Sequence, residues 1–442
     1  MRKILALALA AILLFSLFSC AEKSGGMTES APTVYKSGDV ITLNVYNWGE
    51  YISDGSEDSY DSNAEFEAYF NSTLSEKYGG ITVKVNYTTY ANNEEMYSKL
   101  KNSAVVYDIV VPSDYMIEKM IDEDMLLAFD PSTLPNYENI IESFRSSPYY
   151  DPDAMYSVPY TYGMLGIIYN TTMVDEEDLD KSWELLFNPK YAGKILQFNN
   201  PRDAFATAMY LLGLDVNSED PADWEAAYDK LVEQKPILQG YVNDEIFNKM
   251  TSESAAIATY YVGDYLTMVC DAPDANLEFY YPKEGVNYFV DAMCIPKNAK
   301  HPDIAKEYIN FMLSEDAAIA NAEYIGYASP NSLVRDSEDY RTYMEEEYFE
   351  EAYELLYENT PESVNASYDA KFGKDAACYH SFSPEIQLRV NYLWEKLKIA
   401  DSTKLWVHIS AGLIVASVVA LAVYTTYIKK KRSRFYRKRD GK

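Results

Sequence analysis

Residues 41–46 alternate apolar and polar side chains, the period of a half-buried strand. A polar, acidic stretch at 53–63 follows. Phe66, Tyr69, Phe70 and Leu74 then recur at helical spacing until Gly79-Gly80 stops the helix. Residues 81–87 alternate again, Asn93 is placed to cap a helix running to Lys101, and 107–111 is a compact apolar strand. Strand, helix, strand, helix, strand predicts a parallel sheet. Further strands are predicted at 167–169, 195–198, 255–262, 277–281 and 288–295, and helices at 204–212 and 224–232. From Pro302 the chain turns helical. The acidic run 345–358 places Phe349, Ala352, Tyr353 and Leu356 at helical spacing, so its charges form a solvated face. No internal repeat is present.

Both ends depart from this pattern. Arg2-Lys3 and the apolar run 4–18 predict a secretory signal peptide over 1–19, closing on Leu17-Phe18-Ser19-Cys20. That ending resembles the cleavage box of bacterial lipoproteins, which implies that Cys20 becomes the lipidated N-terminus. Residues 20–39, rich in Ser, Gly, Thr and Lys, read as a flexible lipid-anchored tether. At the other end, residues 405–428 are 24 residues without Asp, Glu, Lys or Arg, more than the roughly 20 a transmembrane helix needs. Trp406, Tyr424 and Tyr427 lie at its ends. The tail 429–442 carries nine Lys or Arg and one Asp, so the positive-inside rule makes it cytoplasmic and the body extracytoplasmic.

Charge then separates the body from its ends. The whole chain of 442 residues has a net charge of −31, whereas residues 21–428 hold 27 basic against 68 acidic side chains, a net of −41. Such a surface repels phosphate backbones and excludes nucleic acid as a partner. It suits a cationic solute, although acidity also serves solubility. Beyond Cys20 there are three cysteines and no paired-Cys motif, so no disulfide framework is expected. A single Cys270–Cys294 bridge is chemically allowed, and buried free thiols are the simpler reading.

Catalytic signatures are missing. There is no phosphate-binding P-loop, no HExxH and no GxSxG, and the three histidines, His301, His380 and His408, are far apart in sequence. No metal or cofactor is implied. What remains are aromatic and polar clusters at strand ends. Tyr46-Asn47-Trp48-Gly49-Glu50-Tyr51 surrounds a carboxylate with rings where the first strand leaves the sheet. An aromatic face attracts a cation by roughly 0.5–2 kcal/mol, and Glu50 adds a full charge, so the run has the chemistry of an amine site. Ser113, Asp114 and Tyr115 follow the third strand. Asn200 and Asp203 follow 195–198. Tyr261 with Asp264, Phe289 with Asp291, and Tyr327 complete the set. With 42 tyrosines in the chain, loop packing explains any one of these rings.

The order of these clusters resembles the extracytoplasmic spermidine/putrescine-binding proteins of ABC importers, over roughly residues 40–400. The resemblance is carried by the 46–51 run, Glu95-Met96-Tyr97-Ser98-Lys99-Leu100, 107–113, Val158-Pro159-Tyr160, Tyr281-Pro282-Lys283-Glu284-Gly285, 295–300 and Ile325-Gly326-Tyr327. It implies an α/β, two-lobed type II periplasmic-binding-protein fold, to which the sequence adds a C-terminal transmembrane helix. Lobe 1 is expected over 40–158 with a return from about 286–400, and lobe 2 over 159–285, with a polyamine held between them and passed to permease subunits. It implies that Trp48, Tyr51, Ser113, Tyr115, Tyr261, Phe289, Asp291 and Tyr327 line the ligand, and Glu50 joins them on the chemistry of its own run. Tyr261 and Phe289 stand where the family has tryptophans. Asn200 and Asp203 stand where it has Asp and Glu, so one acid is lost and the other is on a shorter arm. His380 is a candidate for the family's late Gln. On this reading the protein is a binding protein and not an enzyme. The alternatives are a site for another organic cation, such as a quaternary ammonium solute, or a carboxylate-dependent extracellular hydrolase.

Overall fold

The computed structural model describes residues 33–56, 59–102, 104–147 and 149–399. Along these residues the strands are β1 (Val40–Trp48), β2 (Thr82–Tyr90), β3 (Ile109–Val110), β4 (Ser157–Asn170), β5 (Ile195–Phe198), β6 (Leu238–Val242), β7 (Ile257–Tyr261), β8 (Leu277–Tyr280) and β9 (Tyr288–Cys294). The helices that matter below are α1 (Ser62–Tyr69), α2 (Asn93–Asn102), α3 (Asp114–Asp122), α4 (Pro201–Leu212) and α5 (Val262–Asp271). The chain divides into two units. The first takes residues up to Tyr160 with Ala292–Asn321 and Asn331–Leu333, and the second takes Thr161–Asp291, Ala322–Pro330 and the chain from Val334.

In the first unit β1 pairs in parallel with β2 along its whole length and with β3 on its other side, and β9 closes antiparallel on β3. The alternation of β1 sends Ile41, Leu43 and Val45 into the core. Only Ile109 and Val110 of the predicted strand at 107–111 pair as strand, while Asp108 beside them still donates its backbone N–H to the Asn44 carbonyl of β1 at 2.8 Å. The buried Asp108 carboxylate accepts the backbone N–H groups of Asn44, Lys300 and His301 at 2.9–3.0 Å. The helix predicted through Leu74 changes pitch: after α1 the backbone makes a π turn over Phe70–Leu74 and a 3₁₀ turn over Ser75–Tyr78, ending at Gly79 with φ 81°. Phe66 and Phe70 are buried as the spacing predicts, but Tyr69 is left exposed. The cap of α2 is Asn92, whose Oδ1 accepts from Glu95 N at 2.8 Å, and not Asn93.

In the second unit β4 pairs antiparallel with β7 and with β8, and β5 lies parallel between β7 and β6. All fourteen residues of β4 are buried. A strand buried on both faces has no alternation to read, which is why the pattern predicted only 167–169. The acidic run is two helices, Glu338–Glu347 and Ala352–Tyr357, broken after Tyr348 leaves helical geometry. Residues 334–399, expected to return to the first lobe, fall instead in the second unit. They are fastened there by Tyr368 Oη accepting from Val216 N and by Asn217 Nδ2 donating to the carbonyls of Ala376 and Cys378.

Cys294 and Cys378 are buried free thiols, while Cys270 is free and exposed, so neither the bridge nor full burial holds for it. Among the described residues no helix is long and apolar enough to cross a membrane, and no group of side chains is arranged to hold a metal. The signal peptide 1–19, Cys20, the span 405–428 and the tail 429–442 lie outside the described residues.

Candidate ligand-binding site

The first unit gathers its candidate residues at the ends of β1 and β3. Trp48 Nε1 donates to the Val111 carbonyl at 2.9 Å, and Tyr90 Oη donates to the same oxygen at 2.6 Å. The two rings are 4.8 Å apart, so the end of β1 is fixed to the end of β3. Gly49-Glu50 turns the chain, with Glu50 in the left-handed region at φ 51° and its side chain exposed. Tyr51 is brought back under that turn. Its ring lies 6.4 Å from Trp48 and 6.1 Å from Tyr160, whose hydroxyl donates to the Tyr51 carbonyl at 3.0 Å. Tyr90 and Tyr160 were not foreseen. Both belong to strands, where a ring reads as core.

Ser113 begins α3 and is buried, with no bond from its side chain to the helix. Asn93 Nδ2 donates to Ser113 Oγ at 3.0 Å and to Tyr115 Oη at 3.1 Å, and Asn93 Oδ1 accepts from Ser113 N. Tyr115 in turn donates to Glu94 at 3.2 Å. The expected Ser113–Tyr115 pair is therefore organised by the residue that sequence reasoning took for a helix cap.

The second unit holds the carboxylates. Asn200 caps α4, accepting from Arg202 N at 2.9 Å, which is the ordinary work of an Asn before a helix with Pro at its first position. Asp203, one turn in, is fully buried. Its Oδ1 accepts from Tyr379 Oη at 3.0 Å and its Oδ2 from Tyr261 Oη at 3.1 Å. Burial pushes this carboxyl up to about 6, against the two phenol bonds and the nearby Arg202, which all favour the anion. Arg202 itself is stacked against Tyr379 and Phe382, at 4.3 and 3.7 Å to the ring centres, and donates to the His380 carbonyl and to Asn217. That clamp holds 379–382 against α4. The His380 imidazole is half-buried, and burial and then Arg202 hold it below its ordinary range.

From Asp203 a row of rings runs through the unit. Tyr261 lies 5.2 Å from Phe289 at 88°, and Phe289 lies 5.5 Å from Tyr327 at 68°, both edge-to-face contacts. All three rings are half-buried. Two glycines make room for them: a Cβ on Gly163 would lie 2.8 Å from both Phe289 and Tyr327, and one on Gly263 would lie 2.9 Å from Tyr327. Asp291 is buried two residues after Phe289 on β9, so the two share a face of the strand. At the far end Tyr327 Oη donates to Asp264, and burial pushes the Asp264 carboxyl up to about 7. Tyr379 was missed because the stretch around it matched no motif.

The structure thus brings together Trp48 and Tyr51, joins Ser113 with Tyr115, and joins Asp203, Tyr261, Phe289 and Tyr327. It leaves Glu50 in solvent and gives Asn200 a capping role. No side chain in these clusters is arranged as a nucleophile with a base. They offer ring faces, hydroxyls and carboxylates, the groups that bind an organic cation.

The comparisons agree with that class. The family described as bacterial extracellular solute-binding protein matches residues 65–346, and the chain belongs to it. Membership sets the body outside the cytoplasm and makes it a binding protein rather than an enzyme. The chain is 34% identical over 296 residues to a spermidine/putrescine-binding periplasmic protein of Salmonella typhimurium, covering 66% of this chain and 79% of the relative. It is 30% identical over 333 residues to spermidine/putrescine-binding periplasmic protein 1 of Haemophilus influenzae, covering 75% and 86%. In structure it is similar to a putative spermidine/putrescine ABC transporter protein of Listeria monocytogenes, with a TM-score of 0.65, 31% identity and coverage of 81% and 99%. The α/β periplasmic-binding-protein fold follows from that likeness.

Proposed function

We propose that this protein captures polyamines, spermidine or putrescine, outside the cell and delivers them to the permease of an ABC importer. The observation that carries this reading is Asp203, a fully buried carboxylate that accepts from two phenols and is joined through Tyr261 to a row of aromatic rings. Burying a carboxylate costs several kcal/mol, and at Asp203 that cost outweighs the help of the two phenols and of Arg202. An ammonium group would offset what remains of that cost, and rings laid along methylenes supply the apolar contact of a polyamine chain. Asp203, Asp291, Tyr261, Phe289 and Tyr327 are assigned to the ligand from the second unit, and Trp48, Tyr51, Ser113 and Tyr115 from the first. Glu50 is assigned to steering the cation, and Asn200 to holding the loop. The names of the relatives favour the same solute class. A quaternary ammonium ligand would need rings and few acids, so Asp203 and Asp291 disfavour it.

Lipid at Cys20 and a helix over 405–428 are proposed to hold the body at the outer face of the membrane, with 429–442 inside.

Purified full-length protein should melt at higher temperature with spermidine or putrescine. A ligand that binds only the folded state at a hundred times its Kd adds about 2.7 kcal/mol. Differential scanning fluorimetry with both amines, choline and maltose checks this. A shift with choline or maltose and none with either polyamine would refute the assignment.

A further inference from the structure

We propose that the last described helix, residues 384–399, lies on the membrane surface, with Leu388 and Tyr392 set into the lipid interface just ahead of the span at 405–428. This rests on the C-terminal anchor proposed above and adds to it how the second unit is held against the bilayer.

Ser383 begins the helix. Its Oγ accepts from Ile386 N at 3.4 Å, and Pro384 takes the first helical position. Ile386, Val390, Leu393, Trp394 and Leu397 recur at helical spacing and are only 0–5% exposed, so one face is buried in the second unit. The Trp394 ring lies 5.0 Å from Tyr241 and 6.4 Å from Phe205 of α4. Lys235 Nζ donates to the Leu397 carbonyl, and Lys398 Nζ donates to Asn199 Oδ1 at 3.1 Å. The helix is therefore a docked part of the body. Its opposite face should be polar, yet Leu388 is 71% and Tyr392 58% exposed, one turn apart on the same side. Ile399, seven residues on, is 53% exposed on that side as well.

The chain beyond the helix decides what covers this stripe. Five residues, 400–404, separate Ile399 from Leu405, roughly 20 Å at full extension. If 405–428 crosses the bilayer, the end of the helix stands no further than that from the headgroups. An aliphatic side chain and a tyrosine on the outer face, with long cationic side chains at its edges, suit a helix resting in an interface. The Arg389 guanidinium, ion-paired with Glu225, lies 5.9 Å from the Tyr392 ring centre, and Lys396 follows Tyr392 by one turn. Residues 384–399 hold three basic side chains against two acidic, in a body whose net charge is −41, so repulsion from anionic headgroups is relieved here. A second copy of the chain is the poorer occupant. A stable protein interface takes about 800 Å² from each partner, more than a narrow stripe on one helix supplies. Lys398 also holds Asn199, the neighbour of the Asn200 cap, so the chain leaves the body beside the loop that presents Asp203. A helix lying on the bilayer keeps that loop close to the membrane plane.

The test uses full-length protein carrying Cys20→Ala and Cys270→Ser, which removes the lipid site and the exposed thiol. A bimane label is placed through Leu388→Cys, through Tyr392→Cys or, as a control elsewhere on the second unit, through the exposed Glu338→Cys. Each protein is reconstituted in vesicles of equal phosphatidylcholine and phosphatidylglycerol, with and without brominated acyl chains. Labels at 388 and 392 should shift to the blue and lose roughly half their emission to the brominated lipid, since an interfacial helix sits about 5–10 Å into the boundary of headgroups and acyl chains. The label at 338 should do neither. No shift and no quenching at 388 and 392, in protein that stays with the vesicles, overturns the proposal and leaves the span standing. A blue shift without quenching means that protein covers the stripe, which also overturns it. If the protein does not stay with the vesicles, the anchor at 405–428 falls, and this proposal with it.

Discussion

Asp203→Asn should lower spermidine affinity at least a hundredfold, and the ligand-free protein should not lose stability. Asp203 is fully buried, and its carboxyl is pushed up to about 6 by that burial. Against an ordinary value of 3.8 the shift is worth roughly 3 kcal/mol of ionisation cost in the folded, empty protein. Because the folded value is raised, the native state holds its proton more tightly than the unfolded chain. Stability is therefore fully present below about 4, falls as pH rises through about 6, and is flat above. Asn removes the charge but must reorient one of the phenols of Tyr261 and Tyr379, so the gain in stability is smaller than the cost of the anion. A bound ammonium reverses the trend, since it stabilises the ionised form. Spermidine affinity should rise between pH 5 and 7.5 with release of protons. Calorimetry in two buffers of different ionisation enthalpy measures both effects, with the exposed Asp229→Asn as control. Equal affinity for wild type and Asp203→Asn, or a pH-independent affinity, would remove Asp203 from the site.

That residue was legible in the sequence, but what surrounds it was only half so. Asp203 follows a short apolar strand and opens a helix, and such a place is visible in a pattern of apolar and polar residues. Tyr379 is 176 residues further on, and nothing periodic links it to Asp203. One among 42 tyrosines cannot be singled out by composition. Asn93 shows the opposite failure. Asn at the start of a helical pattern reads as a cap, but Asn92 does the capping and frees Asn93 to organise Ser113 and Tyr115. β1 and β2 were legible because one face is buried and one is not. β4 was hidden because both faces are buried, whereas β3 was legible as a compact apolar run at 107–111 although only Ile109–Val110 pair as strand. The segment after Val334 was assigned to the wrong unit because long-range packing, here the Arg202 stack on Tyr379 and Phe382, leaves no local trace.

A Cys20→Ala protein should remain in the membrane fraction, and the same protein ended after Ala400 should be released. The expectation is close to all-or-none, since a transmembrane helix is effectively permanent and the shortened variant keeps neither anchor. Residues 405–428 hold no Asp, Glu, Lys or Arg over 24 positions. An α-helix of that length rises about 36 Å, enough for a hydrocarbon core of roughly 30 Å with some tilt. The tail that follows carries nine basic residues against one acid, while the body before it has a net charge of −41. A core helix has no need of such a step in charge, and a membrane crossing does, because basic residues resist translocation. A signal peptide over 1–19 would require the same orientation. Two anchors would keep the polyamine-binding body within a short reach of its permease, raising the local concentration over that of a freely diffusing binding protein. Fractionation of the two variants, with the wild type as reference, is the measurement. If Cys20→Ala alone frees the full-length protein, 405–428 does not span the membrane, and the segment belongs to the body as an apolar helix.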